Sequence, residues 1–450
     1  MPMLWDFVKF VLRNSSIHGL PHTIERRSHP IERTLWCGIV SLAVYGTIVL
    51  STMTLTRYRD NPTVISMERD RFSWNTSFPA ATICPSQKVD VDALDVFLSE
   101  STTINNKSLF RDFILTLGEA TYSNFDKVVP YEEVTSDDYI SLLRKFMFKF
   151  RPSVSNSGIS GERLTLHETV TEMGICYSFN SHLAVYNSFD YWSRTEWKLL
   201  PENESLSVNP LDGEVFANVV NMSSGFQVYV HGPYEVIDIR SKHISSQKGY
   251  FLQLYLMGLT LFSSESIKSL RVNQRKCRFY YESNLRHFPV YSYVLCRMEC
   301  RATLANRLCE CIPHFYRKIG RGLLHFSNGE RVCNVSGLHC LSKYKERLTL
   351  LKGECSCLPN CDEVNYVIDD IDTREWFLGS NLQWGLKDYP KMRLRRDIIF
   401  GFSDLLVYIG GMAGLFLGCS VLSFIEIFYY FTLRLYWFLR RHGRESNIVF

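Results

Sequence analysis

Two long apolar runs punctuate an otherwise mixed chain of 450 residues. The first, residues 35–55, is 21 residues without a charge. As a helix rising about 1.5 Å per residue it would cover roughly the 30 Å of a bilayer core. Its length, its late start and the lack of a small-residue cleavage site after it predict an uncleaved signal anchor rather than a leader. The second run, residues 405–431, contains one charge, Glu426, and glycines at 410, 411, 414 and 418. Between the runs the pattern changes. Residues 250–262 are apolar but too few to cross a bilayer, and predict a buried strand. Residues 226–230 are strand-like, residues 291–308 and 341–351 are helix-like, and residues 365–400 lead back to the second run. The predicted organisation is a short segment 1–34, a membrane helix 35–55, a large domain 56–402, a second membrane helix 403–439 and a tail 440–450. Neither end is long enough for a folded domain, and no internal repeat or low-complexity tract is present.

Composition adds the compartment. Hydrophobic residues make up 46%, charged residues 21%, and the net charge of +4 gives no reason to expect a nucleic-acid partner. Of 14 cysteines, Cys37 and Cys419 lie in the apolar runs and the other twelve lie between Cys84 and Cys361, most densely over residues 277–361. The predicted large domain holds five N-glycosylation acceptors, at Asn75, Asn106, Asn203, Asn221 and Asn334. Basic residues do not settle orientation: Arg26, Arg27 and Arg33 precede the first run and Arg57 and Arg59 follow it. Because long loops translocate largely regardless of charge, the cysteines and sequons decide. The large domain is predicted outside the cell, with both ends cytosolic at the plasma membrane.

Enzyme motifs are absent. The stretch beginning His167-Glu168 has Thr171 where a zinc-protease helix needs its second imidazole, and Gly320-Arg321-Gly322 lacks the third glycine of a dinucleotide turn. There is no nucleophile elbow or phosphate loop, so neither a catalytic residue nor a cofactor is expected. The spacings Cys296-x3-Cys300, Cys309-x-Cys311 and Cys355-x-Cys357-x3-Cys361 lack the pairs usual for structural zinc. In an oxidising compartment they predict disulfides rather than a metal site, with the connectivity open. In the second run, Glu426 in hydrocarbon would cost roughly 2.5–3.5 kcal/mol, so it should face a partner or a water-filled path. Gly411, Gly414 and Gly418 lie near one helix face, where small residues allow close packing. A packing stripe with a snorkelling glutamate fits these facts. Gly418-Cys419-Ser420 favours a second reading, because a small-residue break with a hydroxyl and freed carbonyls can replace the hydration of a cation.

These residues resemble a known family, the epithelial sodium channel and degenerin superfamily, most closely its insect pickpocket branch. The second run, from Ser403-Asp404 through Gly410-Gly411 and Gly418-Cys419-Ser420 to Glu426, looks like that family's pore helix. Phe78-Pro79-Ala80-Ala81-Thr82-Ile83-Cys84 looks like the start of its extracellular domain, and Gly174-Ile175-Cys176-Tyr177-Ser178-Phe179-Asn180 like its central strand motif. His18-Gly19 matches its cytosolic gating motif, and the resemblance runs along the whole chain in order.

The resemblance implies a homo- or heterotrimer of related subunits, each with two membrane helices and an α+β extracellular domain of palm, finger and thumb type. It implies the pairs Cys84–Cys176, Cys277–Cys361, Cys296–Cys357, Cys300–Cys355, Cys309–Cys340 and Cys311–Cys333. Gly418, Cys419 and Ser420 fall on the selectivity filter, Gly411 on the position where a bulky side chain holds the gate open, and His18-Gly19 on a re-entrant segment below the filter. The implied activity is passive, amiloride-sensitive conduction of sodium, gated by an unspecified extracellular ligand or stimulus in sensory neurons or epithelium. Tyr408 stands where proton-gated relatives carry an acid, which argues against gating of that kind. An ATP-gated two-span channel would need a Tyr-x3-Lys motif after the second run, but Tyr430 is followed by Arg434. A non-conducting surface receptor would leave Glu426 and the Gly418-Cys419-Ser420 break unexplained.

Overall fold

The computed structural model describes residues 2–25, 29–70, 72–102, 104–149, 153–157, 166–194, 198–201, 206–318, 330–438 and 440. The expected glycan acceptor Asn203, the arginines Arg26 and Arg27, the Gly320-Arg321-Gly322 loop and the tail from residue 441 lie outside them. In chain order the principal helices are α1 (Pro2–Arg13), α2 (Leu20–Ile24), α3 (Pro30–Asp60), α4 (Val91–Glu100), α5 (Lys107–Gly118) and α6 (Tyr139–Phe146). They continue with α7 (Tyr293–Cys309), α8 (Val335–Ser342), α9 (Lys345–Leu350), α10 (Phe402–Leu417) and α11 (Val421–Tyr429). The principal strands are β1 (Thr63–Glu68), β2 (Ala80–Pro85), β3 (Ser153–Ser157), β4 (His167–Thr171), β5 (Gly174–Phe179) and β6 (Val215–Met222). After them come β7 (Phe226–His231), β8 (Ile244–Ser246), β9 (Tyr250–Ser263), β10 (Glu363–Glu375), β11 (Ser380–Leu386) and β12 (Arg393–Ile398).

The chain divides into two compact units. One comprises Met1–Val64, Glu265–Arg275 and Asp397–Phe450; the other comprises Ile65–Ser264 and Lys276–Arg396.

In the first unit α3 is long and apolar, with little of its surface buried. It begins before the apolar run, where Pro30 occupies the first turn, the His29 ring caps the Ile31 amide and Glu32 complements the positive helix end. The second apolar run is interrupted at the small-residue break. It forms α10 and α11, bent by 75° at the residues between them.

The second unit is built on two sheets. The larger has the order β1-β12-β9-β11-β6-β3, with β10 on the opposite edge of β9; the smaller has the order β8-β7-β2-β5-β4. β9 is the strand predicted from residues 250–262. It runs antiparallel to β10 and parallel to β11 and β12, and its Leu252, Leu254 and Leu256 alternate inward. They meet Trp384 of β11 and Phe78, Ile83, Phe179 and Phe226 beside and on the smaller sheet in one core. The Trp384 indole donates to the Pro79 carbonyl at 3.1 Å, which satisfies the polar edge of a fully buried ring.

A second core lies among α4 to α9, centred on Phe110, Phe113, Tyr122, Phe125, Phe315 and Leu338. The helix expected over residues 341–351 takes in only the last two residues of α8 and then α9. Where the Cys309–Cys340 bridge holds α8, the Lys343 and Tyr344 amides bond three residues back (3.2 and 3.0 Å), and α9 restarts the helix. The bridges Cys296–Cys357 and Cys300–Cys355 fasten α7 to the chain after α9, and Cys311–Cys333 closes a loop of the same core. Cys277–Cys361 joins the two ends of this region, while Cys84–Cys176 links β2 to β5. Cys37 and Cys419 are free thiols.

Candidate functional site

Three residues separate α10 from α11. α10 stops at Gly418, whose φ of 62° is left-handed. The Gly418 and Cys419 amides turn back to the carbonyls of Gly414 (3.0 Å) and Ala413 (3.2 Å). This is an αL stop, which a residue without a Cβ adopts at least steric cost. α11 starts on a reciprocal cap. Ser420 Oγ accepts from the Ser423 amide at 3.3 Å, and Ser423 Oγ accepts from the Ser420 amide at 3.1 Å. A helix stop directly followed by a helix start leaves the Gly418 and Cys419 carbonyls outside both ladders.

His18 and Gly19 reach this break from the other end of the sequence. The His18 amide donates to the Leu417 carbonyl at 3.0 Å, and a Cβ at Gly418 would collide with the His18 ring. Gly19 turns the chain at φ 87°, and a Cβ there would stand 2.8 Å from Val40 Cγ2 of α3. Trp36 of α3 stacks on His22 at 4.8 Å. Thus residues 18–19, α3 and the break pack as one cluster. Trp36 and Val40 had no sequence signal, since each is one apolar residue in an apolar run.

The remaining predicted residues of the second segment are spread along it. Gly411 faces open space, with nothing within 4 Å of an added Cβ. Glu426 lies on α11, one turn before Tyr430. Tyr408 packs on Phe400 (ring centroids 5.3 Å), which also meets Tyr58 (6.4 Å) and the Arg57 guanidinium (5.9 Å) at the end of α3. The Ile399 amide donates to the Pro62 carbonyl at 2.9 Å, and Gln274 Nε2 to the Tyr58 carbonyl at 3.4 Å. This aromatic joint around Phe400 was not predicted, because one buried phenylalanine before a helix resembles any core residue.

The second unit carries its own electrostatic fastening. Arg301 of α7 is wholly buried; its guanidinium is paired with Glu172 and with Asp238 (3.2 Å), and Arg297 also reaches Asp238 at 3.0 Å. The Tyr316 hydroxyl donates to Glu172, and Tyr122 bonds Tyr316 at 3.2 Å. His287 lies between Glu299 (2.6 Å) and Glu330 (2.9 Å). Burial disfavours its charged form, but the two carboxylates outweigh that and push its pKa up to about 9. Glu235, after β7, accepts from the Asn360 side chain, while its buried Oε2 has no hydrogen-bond partner among the described residues. Burial first, and the nearby Glu363 charge second, push its pKa up to about 8 against the lowering effect of Asn360. Asn360 in turn accepts from the Tyr293 amide at the start of α7 (2.9 Å). Among the expected glycan acceptors, Asn75, Asn106, Asn221 and Asn334 are exposed.

Comparison with known proteins places these features in a family. The sequence profile of the family described as "Amiloride-sensitive sodium channel" matches residues 11–430. Sodium channel protein Nach of Drosophila ananassae is 24% identical over 453 residues, covering 93% of this chain and 85% of that protein. Pickpocket protein 28 of Drosophila melanogaster is 22% identical, covering 95% and 78%, and the bile acid-sensitive ion channel of Mus musculus is 22% identical, covering 95% and 87%. Among solved structures, a proton-activated chloride channel aligns over 88% of this chain and 95% of its own with 4% identity and a TM-score of 0.27. The matched segment contains the His18-Gly19 turn, all six disulfides and the Gly418-Cys419-Ser420 break, and the chain belongs to the amiloride-sensitive sodium channel family.

Proposed function

We propose that the chain is one subunit of a trimeric, amiloride-sensitive sodium channel of the plasma membrane. α3 and the α10–α11 segment cross the bilayer, both termini are cytosolic, and the disulfide-bonded unit is extracellular. Sodium moves passively down its gradient, without a chemical step. The observation that carries this reading is the break itself. At Gly418-Cys419-Ser420 the backbone leaves the helical ladder in the middle of an apolar segment, and its carbonyls and the Ser420 hydroxyl are oxygens able to replace the hydration of a cation. Three copies around an axis would form a ring of such oxygens. His18, seated against Gly418, underlies the constriction and ties its width to the N-terminal segment.

Gly411 serves as the gate position. A larger side chain there meets nothing in its own subunit, so it acts on a neighbouring helix and holds the pore open. A stimulus on the extracellular unit reaches the pore through α3 and α10, whose outer ends meet at Tyr58, Phe400 and Tyr408. The buried Arg301 pairs and the disulfides make the thumb-like region a stiff body rather than a compliant one.

The test is expression of Gly411→Phe, alone and together with related subunits, with recording of whole-cell current. A standing sodium current blocked by amiloride is expected. Surface-expressed protein that carries no current in any combination would overturn the proposal in favour of a non-conducting receptor.

A further inference from the structure

The second unit concentrates positive charge in its cysteine-dense region. Residues 277–361 contain 13 Lys and Arg against six Glu and no Asp, a net +7, so the rest of a chain whose net charge is +4 carries −3. Part of that charge is answered inside the fold, where Arg301 and Arg297 are paired with Glu172 and Asp238. Another part gathers where α8 gives way to α9. Lys343, Lys345 and Arg347 alternate with Tyr344 and Glu346, all five residues are exposed, and Lys352 follows, exposed as well. Leu348 of α9 is fully buried, which fixes the side of the helix that faces out. With Leu350 these residues line a groove of about 620 Å³, within the roughly 300–1,000 Å³ of small-ligand sites.

Covalent bonds hold this face. Cys309–Cys340 joins the end of α7 to the helix that precedes Lys343, and Cys300–Cys355 anchors the chain just after Lys352. Arg347 Nε donates to Glu354 at 2.6 Å, and the exposed Arg307 of α7 is close enough to act on the same carboxylate. That leaves Glu346 as the one other acid against Lys343, Lys345 and Lys352, which make no ion pair among the described residues. Such lysines are strongly hydrated point charges on flexible stems, and several in a short run bind a polymer of fixed negative charge by releasing its counterions. Short basic runs of this kind serve nucleic acid or heparin-like glycans. With this unit extracellular, as proposed above, the glycan is the polyanion within reach. Tyr344 (38% exposed) and Leu350 (57% exposed) add apolar contact for sugar faces between the charges.

We propose that the Lys343–Lys345–Arg347–Lys352 face docks a sulfated polysaccharide of the heparin class. This rests on the extracellular placement of the disulfide-bonded unit and not on conduction.

Full-length protein purified in detergent, with heparin as the probe, tests this. Wild type should bind heparin at about 0.15 M salt, and Lys343→Glu/Lys345→Glu/Lys352→Glu should bind roughly tenfold more weakly, with a smaller dependence of affinity on salt. The triple Gln variant at the same positions falls between them, and an unchanged melting temperature shows that it folds. Lys242→Glu/Lys248→Glu/Lys391→Glu removes the same net charge from exposed positions outside residues 277–361 and should bind as wild type does. Equal weakening in both triple Glu variants would reduce the effect to net charge and overturn the proposal, as would absence of heparin binding at this salt. Equal competition by unsulfated hyaluronan, by polyglutamate or by vesicles of anionic membrane lipid overturns it too. Because no current is recorded, heparin binding by a protein that never conducts would refute the channel reading and leave this surface standing. A conducting channel that ignores heparin would do the reverse.

Discussion

At Gly418 two demands fall on one residue: a left-handed backbone to end α10, and an empty Cβ position for the His18 ring. Gly418→Ala meets neither. The left-handed conformation alone costs an L-residue about 1–2 kcal/mol, and the collision displaces His18. We expect at least a tenfold loss of current per surface channel in Gly418→Ala, partly restored by adding His18→Ala; surface biotinylation alongside recording separates gating from trafficking. Glu235 makes a pH-dependent contribution. Its pKa is raised to about 8 from an ordinary carboxyl value, so the folded state holds a proton that the unfolded chain has released. The stability this provides is complete below about pH 4.5 and is lost as pH rises through 8, at up to about 1.4 kcal/mol per pH unit. Glu235→Gln should therefore melt at a temperature that falls less than wild type's between pH 6 and pH 9, measured on purified protein; parallel curves would refute the assignment. The sequence displayed Gly418 because glycine and serine are rare in combination with a long apolar run. Glu235 was invisible, since its burial depends on the chain around Asn360, far away in sequence.

Among elements, the break between α10 and α11 is a pair of caps rather than a weak point in one helix. Its stop was legible in Gly418, but its start was not, because Ser420-x-x-Ser423 lacks the acidic residue of the usual capping box. The interruption between α8 and α9 was missed for a related reason. Leucine and lysine continue happily in a helix, and only the Cys309–Cys340 bridge, a contact between distant residues, forces the tightening at Lys343 and Tyr344. α7 was legible as a helix, but not what Arg301 does on it. Deleting one side of a buried pair leaves the other charge unpaired, at about 3–5 kcal/mol. Arg301→Met should accordingly lower the thermal stability of the second unit and its surface expression severalfold, and adding Glu172→Gln with Asp238→Asn should recover part of both. Equal loss in the single and triple variants would show that packing volume, not charge, is at stake.

For the whole molecule, division into two units follows from the sequence more directly than any detail within them. Two long apolar runs, and twelve of the fourteen cysteines in the stretch between them, already separate the parts. What needed three dimensions is the part that α3 plays beside the break. Residues 18–19, α3 and the break are scattered over four hundred positions, yet His18, Val40 and Gly418 lie in one cluster. That convergence makes a quantitative demand on ion selection. In cells expressing Gly411→Phe to hold the channel open, the most direct measurement is the reversal potential in sodium and then in potassium, with Ser420 intact and with Ser420→Leu, which removes the hydroxyl and enlarges the side chain. If Gly418-Cys419-Ser420 is the filter, Ser420→Leu shifts the sodium-to-potassium permeability ratio severalfold or abolishes current while surface protein persists. A conducting Ser420→Leu channel with an unchanged ratio would contradict it.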